Sequence, residues 1–267
     1  MRLEAGCQLL FSAEAPSPLL LMLRPRSGEG QWIVREEYRL EPPVPVVEYT
    51  DSYGNLCQRL VTPEGRFLVY TAACVETADE IDVAPDAAYV PVELLPDSVV
   101  QFLLPSRYCQ SDMLYEEAIA IVGDTDPGYA QVEAIRRWIH EQVKYQYGTS
   151  NASTSAVDTA QSKIGVCRDF AHLGIALCRS LSIPARMVVG YLYELEPMDL
   201  HAWFEAFLSS PDGSTAEGRW YTFDATQPEP RGNRIAIAYG RDAADVALAT
   251  QFGPLTLQEM RVWVKEG

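Results

Sequence analysis

The sequence predicts an α+β protein in which an antiparallel β region precedes a core of helices and strands. From Leu3 to about Leu95, short apolar or alternating runs are separated by Pro, Gly, Asp and Asn, a pattern typical of antiparallel strands. From Tyr129 onward the apolar residues recur at helical spacing. Two helical stretches then precede three strand-like stretches, and this order favours the α+β class.

The β region contains a predicted hairpin turn and ends at a proline-containing crossing. The stretch TDSYGNLCQ, between two apolar runs, is typical of a hairpin turn. The stretch PDSVVQFLLPSRYCQSD, with Pro96 and Pro105, indicates a connection to a second domain. We therefore expect two domains, a β-rich domain at residues 1–105 and a catalytic core at residues 106–267.

The second domain begins with two predicted helices. In YAQVEAIRRWIHEQVKY the apolar residues recur every three or four positions, which predicts an amphipathic helix. A second helix is predicted from about Val166 to Leu181, because Pro184 stops the helical pattern there. The stretches MVVGYLYEL, LHAWFEAFL and RWYTFDAT are then predicted to be strands.

Composition and charge restrict the partners. The chain has 267 residues with 37 acidic and 21 basic side chains, and its formal net charge of -16 repels phosphate backbones and anionic lipid. We therefore expect neither a nucleic-acid nor a membrane partner. The apolar run around Pro18 to Leu23 is too short for a signal peptide or a membrane span, so we expect a cytoplasmic protein. The six cysteines lack CxxC spacing and are expected to be free thiols, and the oligomeric state stays open.

The sequence lacks the motifs of several common enzyme classes. We find no GxxxxGK[ST], GxGxxG or GxSxG pattern, which excludes the usual phosphate loop, dinucleotide fold and serine nucleophile elbow. His140 opens HEQVK, but the zinc motif HExxH needs a second histidine where this chain has Lys144. We therefore expect no cofactor and no bound metal.

Only three histidines, His140, His172 and His201, could serve as a base. His140 lies on the polar side of its predicted helix. His172 follows Cys167 by five residues, which places the two side chains about 140° apart around a helix. A structural pair with Asp169, three residues earlier, is therefore the expected role of His172.

His201 begins a predicted strand whose neighbour ends near Asp224. If the connecting hairpin turns on Asp212 and Gly213, His201 lies directly opposite Asp224. A slip of one residue would send the two side chains to opposite faces of the sheet. The alternative interpretation is a half-buried histidine in a sheet and an acidic residue in a turn.

Cys167 lies in the first turn of the second predicted helix, where backbone N–H groups and the helix dipole stabilise a thiolate. Cys178, in the body of the same helix, is the expected buried structural cysteine. An adjacent His201 would take the proton of Cys167 and hold it as imidazolium, and Asp224 would fix the ring tautomer. These residue types together indicate acyl-transfer chemistry.

Acyl transfer also needs hydrogen-bond donors for the developing oxyanion. The backbone N–H of Cys167 is one candidate, and the side-chain amide of Gln161 is a second, although Gln161 could equally be a solvated loop residue. Tyr145 and Tyr147 could supply hydroxyl donors or serve in aromatic packing. We also expect Tyr147 and Trp203 to line the substrate groove.

Three motifs of the chain resemble those of a bacterial family of transglutaminase-like proteins and predicted cysteine proteases. They are GVCRDFAHLGIALCRSLSIPARMVVGYL at 165–192, HAWFEAF at 201–207 and WYTFDAT at 220–226. The stretches EYTDSYGN, LLPSRYCQSD and YGRDAADV extend the resemblance to nearly the whole chain. The chain departs from the family pattern at Ala225, where FDPT is expected, and in a longer connection before WYTFDAT.

The resemblance implies a papain-like triad in which Cys167 matches the nucleophile, His201 the histidine of the HAW strand and Asp224 the aspartate. It also implies an N-terminal antiparallel β-sandwich-like domain. A papain-like transglutaminase core of helices packed on an antiparallel sheet would follow, with the closing VWVKE segment as a strand.

The expected function is thiol-dependent acyl transfer on peptide or isopeptide amide bonds of a protein or peptide substrate, through a thioester. Hydrolysis, as in a cysteine peptidase or amidase, is the favoured outcome, and transamidation of protein glutamine is the alternative. Because a fold alone does not establish activity, a non-catalytic protein-binding module on the same fold is the competing hypothesis. The presence of all three triad residues favours the enzyme.

Overall fold

The computed structural model describes residues 1–28, 30–211 and 218–267. Two sheets form a β region, and helices pack against a third sheet to form the core, which confirms the α+β class. The hairpin turn predicted at Asp212 and Gly213 lies outside the described residues. None of the described helices is long and apolar enough to cross a membrane.

The strands and helices follow one another along the chain. The strands are β1 (Arg2–Ala13), β2 (Ser17–Leu21), β3 (Gln31–Glu41), β4 (Val46–Thr50), β5 (Leu56–Thr62), β6 (Gly65–Thr77), β7 (Lys144–Tyr145), β8 (Ile164–Gly165), β9 (Ala185–Leu192), β10 (His201–Leu208), β11 (Arg219–Phe223), β12 (Arg234–Gly240), β13 (Ala249–Gln251) and β14 (Leu255–Glu266). The α-helices are α1 (Asp97–Val100), α2 (Tyr115–Val122), α3 (Tyr129–Gln142), α4 (Ala156–Ser162) and α5 (Cys167–Ser180). Short 3-10 turns lie at Val92–Leu94, Gln101–Leu103 and Ser111–Met113.

The β region is a sandwich of two antiparallel sheets, with strand orders β14-β1-β6-β3 and β13-β2-β5-β4. Side chains alternate across a strand, and every second residue of β1 is buried. Apolar residues of both sheets share one core cluster: Cys7, Leu9, Phe11, Leu19, Leu21, Leu60, Phe67, Val69 and Leu255. The β-sandwich-like architecture is confirmed.

The C-terminal strand returns to the β region. The predicted strand at VWVKE is confirmed, because it forms part of β14, which pairs with β1 from Leu3 to Ala13. β13 likewise pairs with β2. The division at residue 105 stays a prediction, but the pairing attaches 249–266 to the sheets of the β region rather than to the core sheet.

The core sheet has the order β11-β10-β9-β12, and α5 packs against one of its faces. The two predicted helices correspond to α3 and α5, and the three predicted strands to β9, β10 and β11. α5 is buried from Asp169 to Arg179, and the ring of Phe204 lies so close to Gly174 that a Cβ there would be 2.5 Å from its edge. This close packing in the middle of α5 holds the helix against β10.

Gly190 of β9 connects the two strands that flank it. It lies opposite His201 of β10 on one side and opposite Ala236 of β12 on the other. A Cβ at this position would lie 1.9 Å from the carbonyl oxygen of Ile235, a backbone atom that cannot move without disturbing β12. The close approach of the two strands therefore requires glycine.

We expect the substitution Gly190→Ala to lower the free energy of unfolding by about 3 kcal/mol, because the added methyl group overpacks a buried strand pair. Denaturant unfolding of the full chain measures this loss. Ala249→Ser, which also adds one heavy atom but lies on the exposed strand β13, is the matched control and should stay within about 0.5 kcal/mol of wild type. Equal unfolding free energies of the two variants would contradict the close-approach argument.

Candidate active site

Cys167 is the first residue of α5, as the sequence predicts. The helix start is fixed by Asp169, whose Oδ2 accepts a hydrogen bond from the backbone N–H of Val166 at 2.9 Å. Cys167 is partly exposed, whereas the other five cysteines are buried and all six are free. Cys178 is fully buried, as expected of a structural residue. Cys167 is therefore the one cysteine that is not buried.

His201 and Asp224 are in direct contact. Nε2 of His201 lies 2.8 Å from Oδ2 of Asp224, and both side chains are buried. The predicted register between β10 and β11 is wrong by two residues. Phe204 pairs with Phe223, so the register places Asp224 opposite Trp203 and not opposite His201. A shift of two keeps both side chains on the same face, since strand side chains alternate with a period of two.

The side chain of Cys167 lies close enough to the His201 ring to affect the pKa of that ring. The contact with Asp224 uses Nε2, which leaves Nδ1 for the thiol. Burial by itself would lower the pKa of His201, but the negative charge and hydrogen bond of Asp224, together with Cys167, raise it to about 9. His201 is therefore an imidazolium at neutral pH and loses its proton only as the pH rises through about 9.

Asp224 has two further partners. Its Oδ1 accepts hydrogen bonds from the backbone N–H of Thr226 at 3.0 Å and from the hydroxyl of Thr226 at 2.7 Å. Its Oδ2 lies 2.9 Å from Nη1 of Arg234, the first residue of β12. Burial by itself would raise the pKa of Asp224, but the charges of His201 and Arg234 hold it well below its usual range. The carboxylate is thus ionised.

The chain is similar to proteins of one superfamily. The model of the Transglutaminase-like superfamily matches residues 117–225, which include Cys167, His201 and Asp224. The structure of a protein named as a candidate cysteine protease from Cytophaga hutchinsonii is 38% identical, with a TM-score of 0.90 over 99% of this chain and 90% of that chain. The chain belongs to the transglutaminase-like superfamily. An uncharacterized protein of Mycobacterium leprae (strain TN) is 27% identical over 84% of this chain and 82% of its own length.

In this transglutaminase-like core, α3 holds the turn that follows Asp224. Nδ1 of His140 lies 3.0 Å from the carbonyl oxygen of Ala225, and Nη1 of the buried Arg136 donates to the carbonyl of Gln227 at 2.8 Å. The sequence places His140 on the polar side of its predicted helix. Its contact with a residue 85 positions away could not be inferred from the helix alone.

The predicted pair of His172 with Asp169 is wrong. Asp169 uses its carboxylate to accept hydrogen bonds from Val166 and from the hydroxyl of Ser150. His172 is fully buried, stacks on the ring of Tyr108 and accepts a hydrogen bond from a backbone N–H through Nε2. Burial holds the pKa of His172 well below its usual value, so this ring is neutral. Because the carboxylate of Asp169 caps the start of α5, it does not form the expected i,i+3 pair with His172.

The other predicted site residues differ in their positions. Gln161 is exposed on α4, and its side chain makes no hydrogen bond with the part of the chain that the structure describes. Tyr147 is exposed, with its ring 5.4 Å from that of Tyr145. Trp203 is 3% exposed and packs behind His201, with ring centroids 6.1 Å apart. The oxyanion role of Gln161 and the groove roles of Tyr147 and Trp203 stay predictions.

Tyr145 lies near Cys167 because β7 pairs with β8 in parallel, with Tyr145 next to Gly165. Its ring packs 5.7 Å from that of Phe170, one turn into α5. The hydroxyl is close enough to Cys167 for that residue to affect its pKa. Burial, followed by the neighbouring Cys167 and Tyr147, raises the pKa of Tyr145, so the group beside the thiol is a neutral hydroxyl.

We expect Asp224→Asn to lower the pKa of His201 from about 9 to well below that value, because the amide carries no charge to offset the burial of the imidazolium. NMR titration of the three histidine rings measures this change. His172 is the internal control and should stay neutral over the whole range in both proteins. A His201 midpoint that is the same in wild type and variant would contradict the role of Asp224 as its charge partner.

Proposed function

We propose that this transglutaminase-like chain is a cysteine peptidase or amidase that uses Cys167, His201 and Asp224. The observation that carries the proposal is the buried 2.8 Å contact between His201 and Asp224 beside a cysteine at a helix N-terminus. The carboxylate favours the imidazolium, and the helix N-terminus favours the thiolate. Both effects support a thiolate–imidazolium pair in the resting protein. The cytoplasmic location stays a prediction from the sequence.

In the proposed reaction, Sγ of Cys167 attacks the carbonyl carbon of a peptide or isopeptide bond. His201 gives its proton to the departing amine nitrogen as the C–N bond breaks, and the acyl group remains on sulfur as a thioester. The now neutral imidazole takes a proton from water, whose oxygen attacks the thioester carbon. The carboxylic acid product leaves, and the pair of thiolate and imidazolium is restored. Asp224 stays ionised throughout and holds the ring orientation.

The oxyanion of each tetrahedral intermediate needs donors at the start of α5. The backbone N–H of Cys167 is the first donor, since a helix N-terminus presents unpaired N–H groups. We assign the second to the hydroxyl of Tyr145, because the pairing of β7 with β8 places this residue beside the start of α5. Gln161 is exposed on α4 and is the less favoured candidate.

Hydrolysis is preferred to transamidation for two reasons. The candidate cysteine protease from Cytophaga hutchinsonii, which matches nearly the whole chain, is named for the hydrolytic reaction. Water is also the abundant acceptor wherever the nucleophile is open to solvent, and the side chain of Cys167 is partly exposed. An amine acceptor, as in a transglutaminase, would need a site that excludes water.

We expect Cys167 to be alkylated faster than the other five cysteines, since it combines exposure with a proton-accepting neighbour. His201→Ala should slow its reaction with iodoacetamide at pH 7 at least about tenfold, because the thiolate fraction falls without the imidazolium. Mass spectrometry after timed exposure measures each cysteine separately, and the buried Cys109 and Cys178 are internal controls. If Cys167 reacted no faster than these, the proposed pair would not exist in the resting protein.

Turnover tests the reaction itself. We expect wild type to release new termini from a mixture of unfolded proteins, measured by mass spectrometry, and Cys167→Ala to abolish this release. Cys57 lies in the β region, so Cys57→Ala is the matched control and should keep wild-type activity. Incorporation of a primary amine in place of cleavage would identify a transglutaminase instead. Neither reaction in wild type, with intact fold, would support the binding-module hypothesis.

A further inference from the structure

We propose that Arg234 is a positioning residue of the triad, and that the β region holds Arg234 in place. This inference rests on the proposed function, because it concerns the same Cys167, His201 and Asp224. On this proposal, the sandwich contributes to catalysis by positioning Arg234.

Arg234 is a buried cation with one anionic partner. It is 8% exposed, and among the described residues Asp224 is the acid within ion-pair distance, at 2.9 Å. Its Nε donates to the carbonyl of Arg231 at 2.8 Å, and its guanidinium lies 5.1 Å from the centre of the Trp203 ring. Removing one partner of a buried ion pair leaves the other charge uncompensated, so Arg234 and Asp224 depend on each other.

Arg234 completes the restraint of the carboxylate. Oδ2 of Asp224 is hydrogen-bonded to Nε2 of His201 at 2.8 Å, and Oδ1 accepts a hydrogen bond from Thr226. Nη1 of Arg234 lies 2.9 Å from Oδ2 but makes no hydrogen bond with the described residues, so Arg234 acts on the carboxylate through its charge. The attraction between this charge and the carboxylate opposes a movement of Asp224 away from its position when His201 gives up its proton. Arg234 therefore keeps Asp224 aimed at the ring in the step where the imidazole is neutral.

Arg234 also balances the charge of the site. In the resting pair the thiolate and the carboxylate are negative, and the imidazolium and the guanidinium are positive. In the thioester state, sulfur and imidazole are both neutral, and Asp224 and Arg234 still cancel. Without Arg234 the buried site would carry one net negative charge in both states, which is costly away from water.

The β region fixes the backbone of Arg234 from outside the core sheet. The hydroxyl of Thr77 donates to the carbonyl oxygen of Arg234 at 2.6 Å, and the N–H of Asn233 donates to the carbonyl of Ala78 at 2.9 Å. The side-chain amide of Gln31 then makes two hydrogen bonds with the backbone of Ala236, at 2.8 and 2.9 Å. These contacts come from β3 and from β6 with the residue that follows it, so two adjacent strands of the sandwich hold the start of β12.

Several charged or titratable groups lie around Asp224 and His201, on the elements that pack against these two residues. They are Cys167 from α5, Tyr145 from β7, Arg234 from β12, Glu133, Arg136 and His140 from α3, and Glu229 and Arg231 from the connection between β11 and β12. Glu133 pairs with Arg136 at 2.7 Å, so these two charges offset each other. Arg234 is the cation that contacts the carboxylate, and it is therefore the group to change.

The test is the NMR titration midpoint of His201 in variants of the full chain. Arg234→Met should raise the midpoint by about one pH unit or more, because deprotonation would then leave Asp224 as an unbalanced buried anion. Arg234→Lys keeps the positive charge and should stay near wild type. A residue with only a packing role would lower thermal stability in both variants without moving the midpoint, and an unchanged midpoint in Arg234→Met overturns the proposal.

A second variant tests the contribution of the β region and covers a failure of Arg234→Met to fold. Thr77→Val removes the hydroxyl that contacts Arg234 but keeps the shape of the side chain, and it should raise the His201 midpoint by a smaller amount. Thr50→Val, on the exposed strand β4, is the matched control and should match wild type. An unchanged midpoint in Thr77→Val overturns the role of the β region. Because the titration uses resting protein, its result is independent of whether amide cleavage is detected.

Discussion

The arrangement of the site depends on one buried carboxylate. Removing Asp224 from water would by itself favour the uncharged acid, and a neutral acid could not stabilise an imidazolium. The structure prevents this by placing the positive charges of His201 and Arg234 on the same oxygen. Thr226 occupies the other oxygen with two hydrogen bonds. The elements of the core serve to bring these groups to one point.

The order of the core sheet explains how they meet. His201 begins β10 and Asp224 follows β11, so the two are neighbours, whereas Arg234 begins β12 on the far side of β9. Gly190 lets β9 and β12 approach closely in the row that contains His201. α5 packs against Phe204 through Gly174. Its first residue, Cys167, lies close enough to His201 to affect the pKa of that ring. Each contact thus depends on strands that are distant in sequence.

The sequence allowed part of this site to be predicted. α3, α5 and the three strands follow from apolar spacing, and Cys167 follows from its place in the first helical turn. The pairing of His201 with Asp224 was placed two residues out of register, yet the side-chain face was right because strand side chains repeat every two residues. Arg234 was not predictable, since an arginine that begins an apolar strand reveals no partner until the fold brings Asp224 to it.

The connectivity joins the core to the β region at both of its ends. β1 to β6 precede the core and β13 and β14 follow it, so the core is an insertion whose two ends are both fixed in the sandwich. Such an insertion has little freedom to rotate relative to the sandwich. The contacts of Thr77 and Gln31 with β12 add a third attachment, next to Arg234. On our proposal, the balance of charge around Asp224 therefore depends on the sandwich and the core folding as one unit.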